Sequence, residues 1–172
     1  TAIGNAARNG VLIKGGIHLE EMGAIKAIAF DKTGTLTYGV PVVTDYIPQP
    51  DTDSDELLRI IAALENGSQH PLASAIMKKA EQDHLPYKDL TIEEFSSITG
   101  KGIKGKVNDK MYYVGSPNLF DEILINGVPS DLKAAISELQ NQGKTVMVAG
   151  TETEILGLLA VADEVRGDRK SV

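Results

Sequence analysis

Asp31-Lys32-Thr33-Gly34-Thr35-Leu36-Thr37 follows directly on the apolar run Ala27-Ile28-Ala29-Phe30, so a predicted strand delivers one carboxylate onto a tight polar turn. A carboxylate at the C-terminal end of a strand, followed by glycine and hydroxyl residues, suits phosphoryl transfer. The turn's amides cradle phosphate oxygens while the aspartate attacks phosphorus. The expected product is an aspartyl phosphate. The predicted strand, residues 24–30, reads as the interior of a parallel sheet, and its apolar side chains need cover.

The residue two positions after Asp31 bears on the fate of that intermediate. Aspartate-nucleophile phosphatases of the haloacid dehalogenase type carry a second Asp there as general acid, whereas this chain has Thr33, which cannot serve as an acid at neutral pH. A long-lived phosphoenzyme suits an energy-storing switch better than a phosphatase. The seven residues from Asp31 to Thr37 resemble the phosphorylation signature of P-type ATPases at every position. The resemblance implies that Asp31 is the nucleophile and that Lys32 adds positive potential beside the phosphate. It also implies that Mg²⁺ is held by the Asp31 carboxylate and the Thr33 backbone carbonyl.

Composition narrows the alternatives. The 172 residues, 42% hydrophobic and 24% charged, suffice for one good core or two small ones. A formal net charge of −7 argues against nucleic-acid binding, which needs clustered Lys and Arg. Cysteine is absent, which removes disulfides and thiolate metal sites. No apolar run approaches the ~20 residues of a membrane helix, and the longest candidate, residues 155–162, is strand-sized. The chain opens on Thr1, which reads as a piece of something longer.

Periodicity and breakers predict the remaining elements. Residues 37–41 read as a turn broken by Gly39 and Pro41, and 42–47 as a strand. Asp53 or Ser54 caps a helix running to about residue 65, with Leu57, Leu58, Ile61, Ala62 and Leu64 as its buried stripe. A second helix is expected over 71–83 with Pro71 at its first position. Strands over 93–98, 105–107 and 111–115 form an antiparallel meander with Asn108-Asp109 as a tight turn. Helices over 118–123 and 130–142 precede strands over 145–149 and 155–161.

Between the two first helices of this unit lies Glu65-Asn66-Gly67-Ser68-Gln69-His70-Pro71-Leu72. On local grounds His70 is a cap or a surface residue more often than a ligand contact. His-Pro-Leu after an Asp-Lys-Thr-Gly-Thr motif, however, resembles the nucleotide-binding signature of heavy-metal-transporting P-type ATPases. That resemblance implies that His70 orients the adenine end of ATP and that Glu65 binds the same base. Gly100-Lys101-Gly102-Ile103-Lys104-Gly105 has the glycine spacing of a dinucleotide fingerprint, with Asp121 downstream, but it runs into a hairpin where the fingerprint must open a helix. Taken alone, it is a glycine bend in a sheet. In the resembled family the glycines matching Gly100 and Gly102 let the backbone approach the nucleotide. Gly143-Lys144-Thr145 reads as a helix stop and a strand start rather than a phosphate loop. Gly115-Ser116 departs from the Gly-Asn of copper-transporting relatives, and His18 and His84 have no ligand-spaced neighbours.

The resemblance covers essentially the whole chain, and Ser68-Gln69-His70-Pro71-Leu72 leans toward the zinc, cadmium and lead exporting branch. It implies an α+β fold in which an antiparallel sheet flanked by helices forms a nucleotide-binding domain, joined to an incomplete haloacid-dehalogenase-like α/β phosphorylation piece. The expected divisions are 1–39 for the phosphorylation domain, 40–162 for the nucleotide-binding domain and 163–172 for the returning hinge. Expected ligands are ATP and Mg²⁺. Expected partners are the remaining phosphorylation, actuator and transmembrane domains of a parent pump, which places this segment on the cytoplasmic side of a cell membrane. The chain itself is expected to bind nucleotide without turnover. A haloacid-dehalogenase-type phosphatase and an adenine-nucleotide sensor remain alternatives.

Overall fold

The computed structural model describes residues 2–31 and 37–165. Helices α1 (Ala2–Arg8) and α2 (Gly16–Met22) lead the chain, and none of residues 2–31 is buried. Residues 25–31 carry neither helix nor strand, against the strand predicted for 24–30. A strand exists through backbone pairing, and residues 24–30 pair with none of the strands described below. Ile25, Ile28 and Phe30 consequently stand 52%, 67% and 60% exposed.

From Thr37 onward the chain forms β1 (Thr37–Pro48), α3 (Ser54–Asn66), α4 (Ala73–Gln82), a 3₁₀ turn (Tyr87–Asp89), β2 (Glu93–Ile98), β3 (Gly102–Val107), β4 (Lys110–Gly115), α5 (Pro117–Ile123), α6 (Ser130–Asn141), β5 (Thr145–Gly150) and β6 (Ile155–Val165). The six strands make one sheet in the order β1-β6-β5-β4-β3-β2, antiparallel at every step. The expected antiparallel sheet flanked by helices is therefore present. β1 begins where a turn over 37–41 was expected. It is an edge strand whose register shifts between Thr37 and Pro41, which accommodates Gly39 at φ 69° and a proline that no interior strand would accept.

Alternation along the central strands splits the core across two faces. On β5, Met147 and Ala149 pack with Leu58, Ile61 and Leu64 of α3, while Val146 and Val148 pack with Phe120 of α5 and Ile136 of α6. β6 divides likewise, Leu159 to the first face and Leu158 with Ala160 to the second. Such two-sided burial explains why β5 and β6 read as continuous apolar runs. Each fully buried large aliphatic contributes about 1.5–3 kcal/mol, so the α3 stripe alone is a main source of stability.

Local chemistry sets the ends of the elements. Asp53 caps α3, its Oδ1 accepting from the Asp55 and Glu56 amides at 3.1 Å each. His84 takes the left-handed conformation after α4 (φ 57°), and the Leu85 amide returns to the Ala80 carbonyl at 2.9 Å, closing the helix end. Asn108 and Asp109, at φ 48° and 64°, form the tight turn expected between β3 and β4. Pro71 lies in the turn before α4, which starts two residues later than the predicted helix. Asp121 is structural, its Oδ1 accepting from the Val128 amide and from Lys133 Nζ, both at 3.0 Å.

Candidate functional site

Antiparallel connectivity brings the end of β2, the start of β3, the end of β4 and the start of β5 to one end of the sheet. The α3–α4 loop lies over that end. Between them opens a cleft of about 400 Å³ whose lining includes Glu65, His70, Gly100 and Gly102, with Ile98 and Met147 as apolar walls. This volume and mixed character are those of a small-molecule site. All four residues that sequence reasoning assigned to a nucleotide therefore meet in one place, although 37 positions separate the outermost two.

Glu65 is the chemically exceptional member. It sits in the last turn of α3, where the helix dipole disfavours a negative charge, and its side chain is buried to 2% exposure. Burial pushes its carboxyl up to about 7, and a hydrogen bond from the Ser68 side chain works in the opposite direction. Among the described residues, Glu65 Oε2 is the one buried side-chain oxygen without a hydrogen-bond partner. Leaving such an oxygen unpaired costs stability, and a perturbed, unpaired carboxylate in a cleft is a candidate functional group.

His70 stands at the rim, exposed, with Nδ1 accepting from the Leu72 amide at 3.2 Å. The neutral ring therefore carries its proton on Nε2 and offers a donor while its other nitrogen is tied to the turn. The local reading as a cap and the reading as a cleft residue are both met by this one side chain.

The two glycines do different work. Gly100, at φ 70°, would place a Cβ within 4 Å of nothing, so its side of the turn is open. At Gly102 a Cβ would lie 2.2 Å from the Val114 carbonyl oxygen and 2.6 Å from the Gly115 Cα. At Gly115, its cross-strand partner, a Cβ would lie 2.2 Å from the Lys101 carbonyl oxygen. The crowding expected at Gly102 from a ligand thus arises within the protein, where β3 and β4 press together to form the cleft floor. Ser116, which also lines the cleft, donates its amide to the Lys101 carbonyl at 2.7 Å and locks the same corner.

Of the phosphoryl half of the expected site, only Asp31 falls among the described residues. Asp31 is exposed and is not among the lining residues. Lys32 and Thr33 lie outside the described residues. Among the described residues no group of three His, Cys, Asp or Glu side chains is arranged to hold a metal ion. Sequence reasoning assigned no role to Ser68, Ile98 or Met147. The apolar pair carried no signal separable from ordinary core, and Ser68 signalled only by lying between Glu65 and His70.

Residues 25–172 match the haloacid dehalogenase-like hydrolase family. All of this chain aligns at 63% identity, over 173 positions, with a probable cadmium-transporting ATPase of Alkalihalophilus pseudofirmus, covering 24% of that protein. Among solved structures, a zinc-transporting PIB-type ATPase in an E2.Pi state superposes with a TM-score of 0.75 at 37% identity, over 96% of this chain and 26% of the other. The catalytic domain of a CPx-ATPase, described for its conformational changes upon nucleotide binding, superposes with a TM-score of 0.63 at 27% identity, over 95% of this chain and 53% of the other. The chain spans about a quarter of the length of the transporting ATPase in the first alignment. No helix among the described residues is long and apolar enough to cross a membrane.

Proposed function

The chain belongs to the haloacid dehalogenase-like hydrolase family, and from that membership we propose that it is the ATP-binding and aspartyl-phosphorylation segment of a P-type ATPase exporting divalent heavy-metal cations of the Cd²⁺, Zn²⁺ and Pb²⁺ class. The observation that carries the nucleotide half is the unpartnered, buried Oε2 of Glu65 in the cleft that His70, Gly100 and Gly102 also line. An ionised carboxylate accepts from an exocyclic amino group such as that of adenine, and the Nε2–H of His70 supplies a donor. The open side of Gly100 leaves room for the rest of the nucleotide.

In the parent protein, residues 1–39 and 163–172 would belong to the phosphorylation domain and its hinge, and 40–162 to the nucleotide-binding domain. The Asp31 carboxylate would attack the γ-phosphorus of ATP, forming the aspartyl P–O bond as the bond to the ADP oxygen breaks, with Lys32 lending positive potential. Asp31 and the Thr33 carbonyl would hold Mg²⁺, which neutralises phosphate charge. Actuator and transmembrane domains would complete a pump whose cytoplasmic portion includes this segment, and the 63% identity to a probable cadmium-transporting ATPase supports the choice of cargo class.

The test is titration of the chain with ATP, followed by NMR or calorimetry. A Kd of about 0.1–1 mM, roughly −5 kcal/mol, is expected, with GTP weaker. Equal shifts with ATP and GTP, or none with either, would refute the assignment. Hydrolysis of small phosphate esters by the chain would favour a phosphatase instead.

A further inference from the structure

Glu65 and His70 offer partners to a base, and neither accounts for the negative charge of a phosphate chain. Among the described residues, one lysine or arginine lines the cleft: Lys101, between Gly100 and Gly102. Its ammonium is already engaged, Nζ donating to Glu122 Oε1 at 2.8 Å and to Glu122 Oε2 at 2.6 Å. Glu122 lies on α5 and is not a lining residue, so the cation of the cleft is held by a carboxylate that is no part of it.

Two features make that hold reversible. The paired side chains are 40% and 58% exposed, and water screens such a pair until it contributes little to stability. The Lys101 backbone is pinned on both sides, its amide donating to the Ile98 carbonyl at 2.9 Å and its carbonyl accepting from the Ser116 amide at 2.7 Å. The flexible four-carbon stem can therefore exchange partners while the turn stays in place. Beside it, the side of the turn at Gly100 is open.

We propose that Lys101 is the phosphate-binding cation of the cleft and Glu122 its resident competitor: when a nucleoside triphosphate enters, the Lys101 ammonium passes from the Glu122 carboxylate to the phosphate chain. The proposal rests on the nucleotide reading above and adds to it a selection for phosphorylated ligands over the bare nucleoside. An ammonium binds phosphate as a point charge, and the exchange trades one carboxylate for a chain carrying several negative charges. A formal net charge of −7 repels such a ligand from the chain as a whole, so a local cation weighs the more. Because Glu122 competes with the phosphate for one ammonium, removing either member of the pair acts in an opposite direction on ATP and leaves adenosine untouched.

The experiment titrates the full chain with ATP and with adenosine, followed by NMR without divalent cations, in wild type, Lys101→Ala, Lys101→Arg and Glu122→Gln. Lys101→Ala should weaken ATP about fivefold while leaving adenosine unchanged, and the ATP difference should shrink in high salt. Lys101→Arg keeps the charge and should stay within about twofold of wild type for ATP. Glu122→Gln frees the ammonium and should strengthen ATP about twofold to threefold. Equal losses of ATP and adenosine in Lys101→Ala, or a Glu122→Gln chain that binds ATP more weakly as Lys101→Ala does, would mean that the pair only braces the turn against α5, and would overturn the proposal while leaving the nucleotide site standing. No shift in the wild-type chain with either ligand overturns the nucleotide reading itself, and this proposal with it.

Discussion

Replacing Gly102 by alanine tests whether this glycine serves the cleft floor rather than the ligand directly. The added Cβ would lie 2.2 Å from the Val114 oxygen, 2.6 Å from the Gly115 Cα and 3.0 Å from the Val114 carbonyl carbon. All three are backbone atoms of β4 and cannot rotate aside, so the strands must part where Gly102 pairs with Gly115. Overpacking of this kind costs about 1–3 kcal/mol. The backbone at φ 156° adds about 1–3 kcal/mol for a residue with a side chain. The total, about 2–6 kcal/mol, is a large share of the 5–15 kcal/mol typical of a domain. Gly100→Ala meets no atom within 4 Å and bears only the left-handed backbone at φ 70°, about 1–2 kcal/mol. Urea unfolding followed by circular dichroism would measure both variants. A Gly102→Ala chain within about 0.5 kcal/mol of wild type, or one more stable than Gly100→Ala, would refute the close-approach argument.

Glu65 makes stability depend on pH. Its carboxyl is raised from 4.5 to about 7 in the folded chain, so the folded state binds more protons than the unfolded one across that window. Stability is therefore full below about pH 4.5 and falls by up to about 3 kcal/mol as pH rises past 7. Glu65→Gln should remove that slope, raising the melting temperature at pH 8 while weakening ATP binding, as thermal melts and titrations at two pH values would read. The ion pair of Lys144 with Asp45, 2.7 Å long, lowers the Asp45 carboxyl with help from the Thr44 hydroxyl. Asp45→Asn should cost about 0.5–1 kcal/mol at pH 7, and that difference should vanish as acid protonates the wild-type Asp45 below its ordinary 3.8. His70→Ala should weaken ATP binding at least threefold (about 0.7 kcal/mol) with little change in urea midpoint, because the side chain is exposed and its single bond serves a turn.

Elements that bury one clear face were legible in the sequence. The α3 stripe, the paired runs of β5 and β6, and the Asn108-Asp109 turn each carry their own periodicity or turn chemistry, and their positions in the fold match those expectations. The start of β1 was not, because Gly39 and Pro41 are breakers in a central strand but tolerated where an edge strand is bulged. Residues 24–30 have the composition of a strand, yet pairing is a property of neighbours and not of the segment itself. Within the cleft, Glu65, His70, Gly100 and Gly102 were found through resemblance. Two facts lay beyond the sequence: the Glu65 Oε2 left buried without a partner, and a Gly102 crowding that comes from β4. Both depend on which strand and loop lie alongside, a relation fixed only when the sheet closes.

The pairing of Thr37 with Val165 carries one more consequence. The chain enters the sheet unit and leaves it on one rung of an antiparallel ladder, its two ends roughly 5 Å apart. A unit whose two ends nearly touch can be lifted out of, or slotted into, a larger protein without stretching its host. It is then tethered by a two-stranded ribbon, which twists far more readily than it lengthens. Any swing of the cleft relative to whatever carries Asp31 must pass through that ribbon, whose register slips at Thr37/Pro41 and Val43/Asp45 are its natural points of give. The bulges that admit a glycine and a proline to β1 are thus also where a pivot is most cheaply built.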